Sequence, residues 1–340
     1  MKKHYIYSLL VSVFTLCLFG ACSEYTMDDI NNNNNYPLNA DAKFIVTDLG
    51  VSTAFRTVGG DFSTYVSIYM EHETGIHNQM YRAETRSSEP TASTTYTNPW
   101  VSTYTNIKNA KLVIKKCNSD GVERGSNITL GIGRIFLAYN AAILTDLFGD
   151  VPYAQAGVLN EVGLPVYRQP LVDKQEAIYT DIFQQLDSAI VDLRGKDLGI
   201  YGGVGNKDFI YNGDSIKWRK AANALKARYL MRLLNKSSNK TNDLNEILQC
   251  IDRSFTSADE EFKFAKYDGG DQYNPLAAFS YSRQALAGSL SYAKKLKERN
   301  DPRLGQIICN VDGELVVDPT LDDFTPRVKE LAEKQSYYNY

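Results

Sequence analysis

The sequence predicts an all-α fold, an irregular helical bundle made of helix pairs and long loops. Three observations predict it. Apolar residues recur at three- and four-residue spacing in four segments between residues 100 and 234, the period of one helical face. Capping residues and helix breakers stand at the ends of those segments. Strand signals are weak, the clearest being a short hairpin arm at Gly313 to Val317.

Composition suits such a bundle. Of 340 residues, 43% are hydrophobic and 23% charged, too apolar for a disordered chain. Lys and Arg total 37 against 40 Asp and Glu, a formal net charge of -3, without the basic excess that nucleic-acid binders use to neutralise phosphates. No nucleic-acid partner is expected. Tyrosine is the outlier, at 23 residues beside 14 Phe and 2 Trp.

In chain order, Lys2 and Lys3 precede an apolar stretch from Ile6 to Phe19, and Gly20 and Ala21 stand immediately before Cys22. This is the layout of a secretory signal, and the stretch is shorter than the roughly 20 residues that cross a bilayer. Small residues directly before a cysteine resemble a lipobox, with Phe19 where Leu, Val or Ile is usual. Residues 1–21 are therefore expected to be a lipoprotein signal peptide and Cys22 the lipidated first residue, anchored to the membrane by acyl chains. Ser23 to Asn35, with five consecutive asparagines from Asn31, reads as a polar tether within residues 22–40. Cys117, Cys250 and Cys309 remain; an odd number without a CxxC pair supports neither a disulfide framework nor a zinc site.

The first long helix carries Trp100, Tyr104, Ile107, Ala110 and Val113 on one stripe, with Asn98 as its cap and Pro99 at its first position. The second carries Leu130, Arg134, Leu137, Ala141, Leu144 and Phe148 and ends at Gly149. The third runs from about Asp173 to Leu193 and the fourth from about Ser215 to Leu234, with shorter helices near 242–254 and 282–299. Aromatic and small residues repeat along these stripes, which suggests stacked, tetratricopeptide-like helix pairs, although no clean period survives the loops. Those loops, 81–98, 153–172, 195–214 and 256–281, are long enough to be where function is sought.

Four stretches carry a family resemblance: NPWVSTYTNIKNAKLVI at 98–114, LAYNAAILTDLFGDVPYAQA at 137–156, GDSIKWRKAANALKARYLMRLLN at 213–235 and NDPRL at 300–304. Together they resemble the SusD/RagB-like family of nutrient-binding outer membrane lipoproteins of Bacteroidetes. The resemblance implies one SusD-like helical domain over 41–340, held at the outer face of the outer membrane. It implies a lid on a SusC-like, TonB-dependent transporter that hands over a glycan or an oligopeptide, with no catalysis and no cofactor. Family members usually continue beyond the DPRL-like stretch, so the resemblance also implies a C-terminal truncation, by a broken reading frame or as a naturally short member. An alternative from another class is a helical scaffold that stabilises the transporter complex and binds no nutrient.

A glycan site needs aromatic rings for the apolar faces of sugars and Asn, Asp or Arg for their hydroxyls. Tyr81 and Tyr96 flank one loop, and Tyr267, Tyr273 and Asn274 lie in another with Asp268 and Asp271; these are the expected ligand contacts. Trp100 and Trp218 sit on helical stripes and are expected in the core. His72, Glu73 and His77 imitate a zinc-protease motif, but histidines five apart on a helix stand about 140° apart around the axis rather than on one face. Gly199, Gly202, Gly203 and Gly205 lack the Gly-Lys-Ser/Thr of a phosphate loop. Asp259, Glu260 and Glu261 are adjacent and do not face each other at glycosidase separations. Asp268, Asp271 and Asn274 offer some calcium-type oxygens without the EF-hand pattern. No catalytic or metal site is expected.

Overall fold

Ten helices organise the described residues. A computed structural model describes residues 40–87, 96–197, 202–268, 272–283 and 285–304; Cys22 and the Gly313–Val317 hairpin arm lie outside them. The chain divides into a unit of residues 1–40 and a unit of residues 41–340, and every element of the described residues belongs to the second. In order come α1 (Ala42–Ser52), a π-helical segment (Thr53–Val58), α2 (Asp61–Tyr69), β1 (Glu73–Gly75), α3 (Asn78–Thr85), α4 (Thr97–Cys117) and α5 (Asn127–Phe148). They are followed by β2 (Val151–Pro152), β3 (Val172–Asp173), α6 (Gln175–Asp192), α7 (Ser215–Leu233), α8 (Lys240–Asp252), α9 (Pro275–Arg283), β4 (Leu286–Gly288) and α10 (Leu290–Glu298).

The helices stack on their sequence neighbours: α4 on α5, α5 on α6, α6 on α7 and α7 on α8, with α1 against α4. This is the all-α, tetratricopeptide-like arrangement expected from the stripes. At its centre is α5, long and apolar enough to cross a membrane, yet 78% of its apolar window is buried within the fold, so it is the core helix. Gly133 and Gly131 let the neighbours approach: a Cβ at Gly133 would stand 2.6 Å from Val113 Cγ1 of α4, and one at Gly131 would stand 2.6 Å from Leu193 Cγ after α6. Close approach raises packing density around Ile132, Ile135, Phe136 and Leu144, all buried.

Carboxylates tie loops to helix ends. Glu123, buried, accepts from the Ala42 N–H through both oxygens at 3.0 Å and pairs with Lys116 at 3.2 Å, so it caps α1. Asp197 accepts from Ile128 N and Thr129 N at the start of α5, and Asp214 caps α7 through Ile216 N and Lys217 N. Lys111 Nζ donates to the carbonyls of Tyr153, Ala154 and Ala156 at 2.6, 3.1 and 2.7 Å and pins the start of the 153–171 loop. Burial lowers this ammonium to about 8, against the pull of Asp181 and Asp173.

Two details differ from the sequence reading. Asn98 is not the cap of α4, which starts at Thr97 without a side-chain cap; Pro99 is accommodated at the third position because first-turn N–H groups have no helical partner to lose. The helix expected over 282–299 is broken, since Leu286–Gly288 pairs antiparallel with Glu73–Gly75 and Ser289 then caps α10 by accepting from Tyr292 N at 3.3 Å. That pairing joins the last described part of the chain to its beginning, around Tyr65, Ile68, Met80 and Leu286.

Candidate functional site

A buried polar network prepares the site. Asn106 of α4 donates to Thr53 Oγ1, Thr57 Oγ1 and Asn140 Oδ1 at 3.3, 3.2 and 3.1 Å, and Asn140 of α5 donates to Thr53 Oγ1 at 3.1 Å. Thr53 and Thr57 belong to the π-helical segment, closed by a Gly59 N–H to Ala54 carbonyl bond of 2.9 Å. The wider turn lets both threonines reach Asn106 and leaves Phe55 and Arg56 on the outer side; π-turns of this kind recur at functional sites. Gly59 is needed there, because a Cβ would meet the Ala54 carbonyl at 2.6 Å and Pro275 of α9 at 2.9 Å.

On that outer side lies a groove of about 440 Å³, lined by Phe55, Arg56, Asp61, Asn98, Val101 and Ser102 among others. It sits between the π-helical segment, the start of α2 and the first turns of α4. Phe55 is its lining ring and is backed by two more: the Tyr267 ring lies 5.4 Å from Phe55 and 5.5 Å from Phe264, and Phe55 and Phe264 meet edge-on at 5.8 Å. An extended segment delivers these rings. Phe262 inserts toward Trp218 at 5.6 Å, Tyr211 Oη donates to the Glu260 carbonyl at 2.8 Å, and Glu260 pairs with Lys220. Phe264 and Tyr267 are half-buried.

The polar side of the groove is unsaturated. The side chains of Arg56, Asp61, Asn98 and Ser102 make no hydrogen bond or ion pair among the described residues. Burial raises the Asp61 carboxyl above its ordinary value. Half-buried rings beside unpartnered donors and acceptors match the two surfaces of a sugar.

The residues expected from sequence divide between this groove and other places. Tyr267 packs on Phe55, the groove's lining ring, at 5.4 Å. Asn274 is at its edge as a helix cap, accepting from Leu276 N at 3.0 Å and Ala277 N at 3.3 Å, one residue before the Pro275 that packs on Gly59. Tyr273, 50% exposed, precedes it. Tyr96 turns into an aromatic cluster with Phe62, Tyr65 and Phe148 at 6.2, 5.8 and 6.1 Å. Tyr81 projects from α3, 53% exposed, with no ring contact among the described residues. Phe55, Arg56 and Asp61 are absent from the sequence-based expectation; the Gly59-Gly60 pair after an aromatic residue is the one local signal that marks them.

The other motifs have structural roles. Glu73 lies in β1, 6% exposed, and accepts from the Ser67 hydroxyl, while the His72 ring packs on Tyr292 at 5.0 Å. Trp218 is fully buried and donates to Asp208 at 2.6 Å; Trp100 is half-buried. Asp259 and Glu260 pair with Lys217 and Lys220. Asp268 Oδ1 accepts from Gln272 N at 2.8 Å, and Asp271 lies outside the described residues. Cys117 and Cys250 are buried free thiols, and burial pushes Cys117 up to about 12.

Residues 58–319 match the model of a SusD-like family described as starch-binding and associating with the outer membrane. The chain belongs to the SusD-like family. Its fold is similar to a SusD/RagB family protein from Bacteroides thetaiotaomicron, with 40% identity, a TM-score of 0.73, and coverage of 80% of this chain and 55% of that one. A chitin-binding protein matches at 24% identity and TM-score 0.62, over 82% of this chain and 57% of its own. A chitin-binding SusD homologue from Flavobacterium johnsoniae matches at 17% identity and TM-score 0.61, over 78% and 54%. Comparison with curated proteins gave no match. The SusD-like chain thus spans a little over half the length of these solved relatives.

Proposed function

We propose that this SusD-like chain is a cell-surface lipoprotein whose ring-lined groove binds a neutral glycan and delivers it to a SusC-like, TonB-dependent transporter. The observation that carries the reading is Phe55, backed by Tyr267, lining a groove of about 440 Å³ together with Arg56, Asp61 and Asn98, which have no partner among the described residues. Sugar rings would pack on the aromatic faces while their hydroxyls take the charged and amide groups, a combination that orients a ligand without any group placed for chemistry. The family's description as starch-binding and two chitin-binding relatives support a glycan over a peptide.

Residues 1–21 act as the export signal, Cys22 carries the lipid, and residues 22–40 form the tether to the helical domain. Tethering keeps the domain near its transporter and raises its effective concentration there. The chain supplies no catalysis; capture and hand-over are its mechanism.

Titration calorimetry of the full chain in detergent with maltoheptaose and chitohexaose tests the binding step. Binding of at least one, weakened about tenfold by Phe55→Ala, is the expected result, since one aromatic contact contributes roughly 1 kcal/mol beyond its area. Failure of both sugars overturns the glycan reading. Mass spectrometry of Cys22 tests the anchor, and an unmodified cysteine overturns it.

A further inference from the structure

A second groove, of about 620 Å³, lies between α6, α7 and α8, away from the aromatic wall, and its chemistry is different. No aromatic residue lines it. Five cations do: Arg194, Arg219, Lys220, Lys226 and Arg253. The two lysines are neutralised, Lys226 by Asp187 at 2.8 Å and Glu246 at 3.0 Å, and Lys220 by Glu260. Asp187 and Glu246 are the groove's own carboxylates, and both are engaged with Lys226. The three arginines form no ion pair among the described residues.

Arg194 and Arg253 have an ordinary explanation, since each follows the end of a helix, α6 or α8, where a cation suits the macrodipole. Arg219 has none. It is the fifth residue of α7, and its Nε is enclosed with no hydrogen-bond partner among the described residues. A guanidinium with a buried unmet donor costs folding energy that a bound anion would help to return.

We propose that this groove is a second ligand site, for an oligosaccharide bearing carboxylate or sulfate groups. The guanidinium fork matches planar carboxylate and tetrahedral sulfate through paired hydrogen bonds. The volume falls within the range of small-ligand clefts. The lack of rings among its described lining residues separates it from the neutral-glycan groove. The site does not depend on the Phe55 groove, and loss of either leaves the other standing.

The test is calorimetry of the full chain with a chondroitin sulfate tetrasaccharide, a hyaluronan tetrasaccharide carrying carboxylates alone, maltotetraose, inorganic sulfate and a polyglutamate peptide. At least one acidic tetrasaccharide is expected to bind about tenfold or more tighter than maltotetraose and inorganic sulfate, and to weaken about tenfold between low and moderate salt. Arg219→Met and, separately, Arg253→Ala at an exposed position are expected to weaken it about tenfold, with Phe55→Ala leaving it unchanged; Arg253→Ala keeps the test valid if Arg219→Met misfolds. Equal binding of maltotetraose, equal binding of sulfate alone, polyglutamate as the tightest probe, or indifference to both arginine variants would each overturn the proposal.

Discussion

The helix stack of α4 to α7 and the segments that cap it, residues 53–61 with 261–268, are built differently. In the stack, small residues meet branched ones, Trp218 is fully buried with its N–H on Asp208, and Lys111 commits its ammonium to three carbonyls. In the cap, rings are half-buried and Arg56 and Asp61 are left without partners among the described residues. Buried, committed contacts make a rigid support, and solvent-facing groups without partners make a surface that has something to gain from a ligand. Stability and binding should therefore respond to different residues.

The largest expected effect tests the stack alone. Trp218→Ala should cost about 3–5 kcal/mol, because it leaves a cavity beside Phe136 and Tyr211, whose rings lie 5.7 and 5.2 Å away. Urea unfolding measures it. A loss under about 1 kcal/mol would mean that the stack is not the rigid support its packing implies.

Next is the link between the two regions. Asn106→Ala removes three donated bonds to Thr53, Thr57 and Asn140, at an expected cost of about 2–3 kcal/mol. Unlike Trp218→Ala, it should also weaken maltoheptaose or chitohexaose binding in protein that remains folded, because the π-helical segment that presents Phe55 and Arg56 is no longer held. Loss of stability with intact affinity would break the proposed connection between network and groove.

Lys111→Met tests saturation within the stack. It strands three carbonyls and should cost about 2 kcal/mol at neutral pH. The pH dependence separates this from simple packing. Burial lowers the folded ammonium from 10.5 to about 8, so in that window the unfolded chain binds a proton that the folded chain does not, and this group makes stability rise with pH. The difference between wild type and Lys111→Met should therefore widen between about pH 8 and pH 10.5. Unfolding midpoints that stay parallel across that window would show the ammonium to be unperturbed.

The stack is legible in the sequence because its stripes are long: Ile107, Ala110 and Val113, or Ile178, Ile182 and Leu186, bury one face of a regular helix, and Gly149 closes α5 with a φ of 73°. The cap is less legible. Phe55 and Arg56 lie in a π-turn, which has no sequence period of its own, and α1 to α3 are short elements joined by irregular turns. Tyr267 stands out by its loop, but the ring it pairs with, Phe55, lies far earlier in the chain. Nothing local marks such a pair. Tyr96 reads as a loop aromatic, yet it closes a cluster on Phe62 and Tyr65, because residues just ahead of a helix share its inward face.

The smallest expected effects sharpen the comparison most, because they separate rings that composition treats alike. Tyr267 and Tyr81 are both loop or helix-edge tyrosines with free access to solvent on one side. Tyr267→Ala removes the ring that backs Phe55 and should weaken glycan binding about fivefold to tenfold while costing under about 1 kcal/mol of stability, since its ring is half-buried. Tyr81→Ala should change neither quantity measurably, because an exposed side chain without ring contacts among the described residues contributes little to either. Calorimetry and urea unfolding of the two variants side by side read both quantities. If Tyr81→Ala lowered affinity and Tyr267→Ala did not, the glycan would be gripping α3 rather than the groove, and the unsaturated groups around Phe55 would need another occupant.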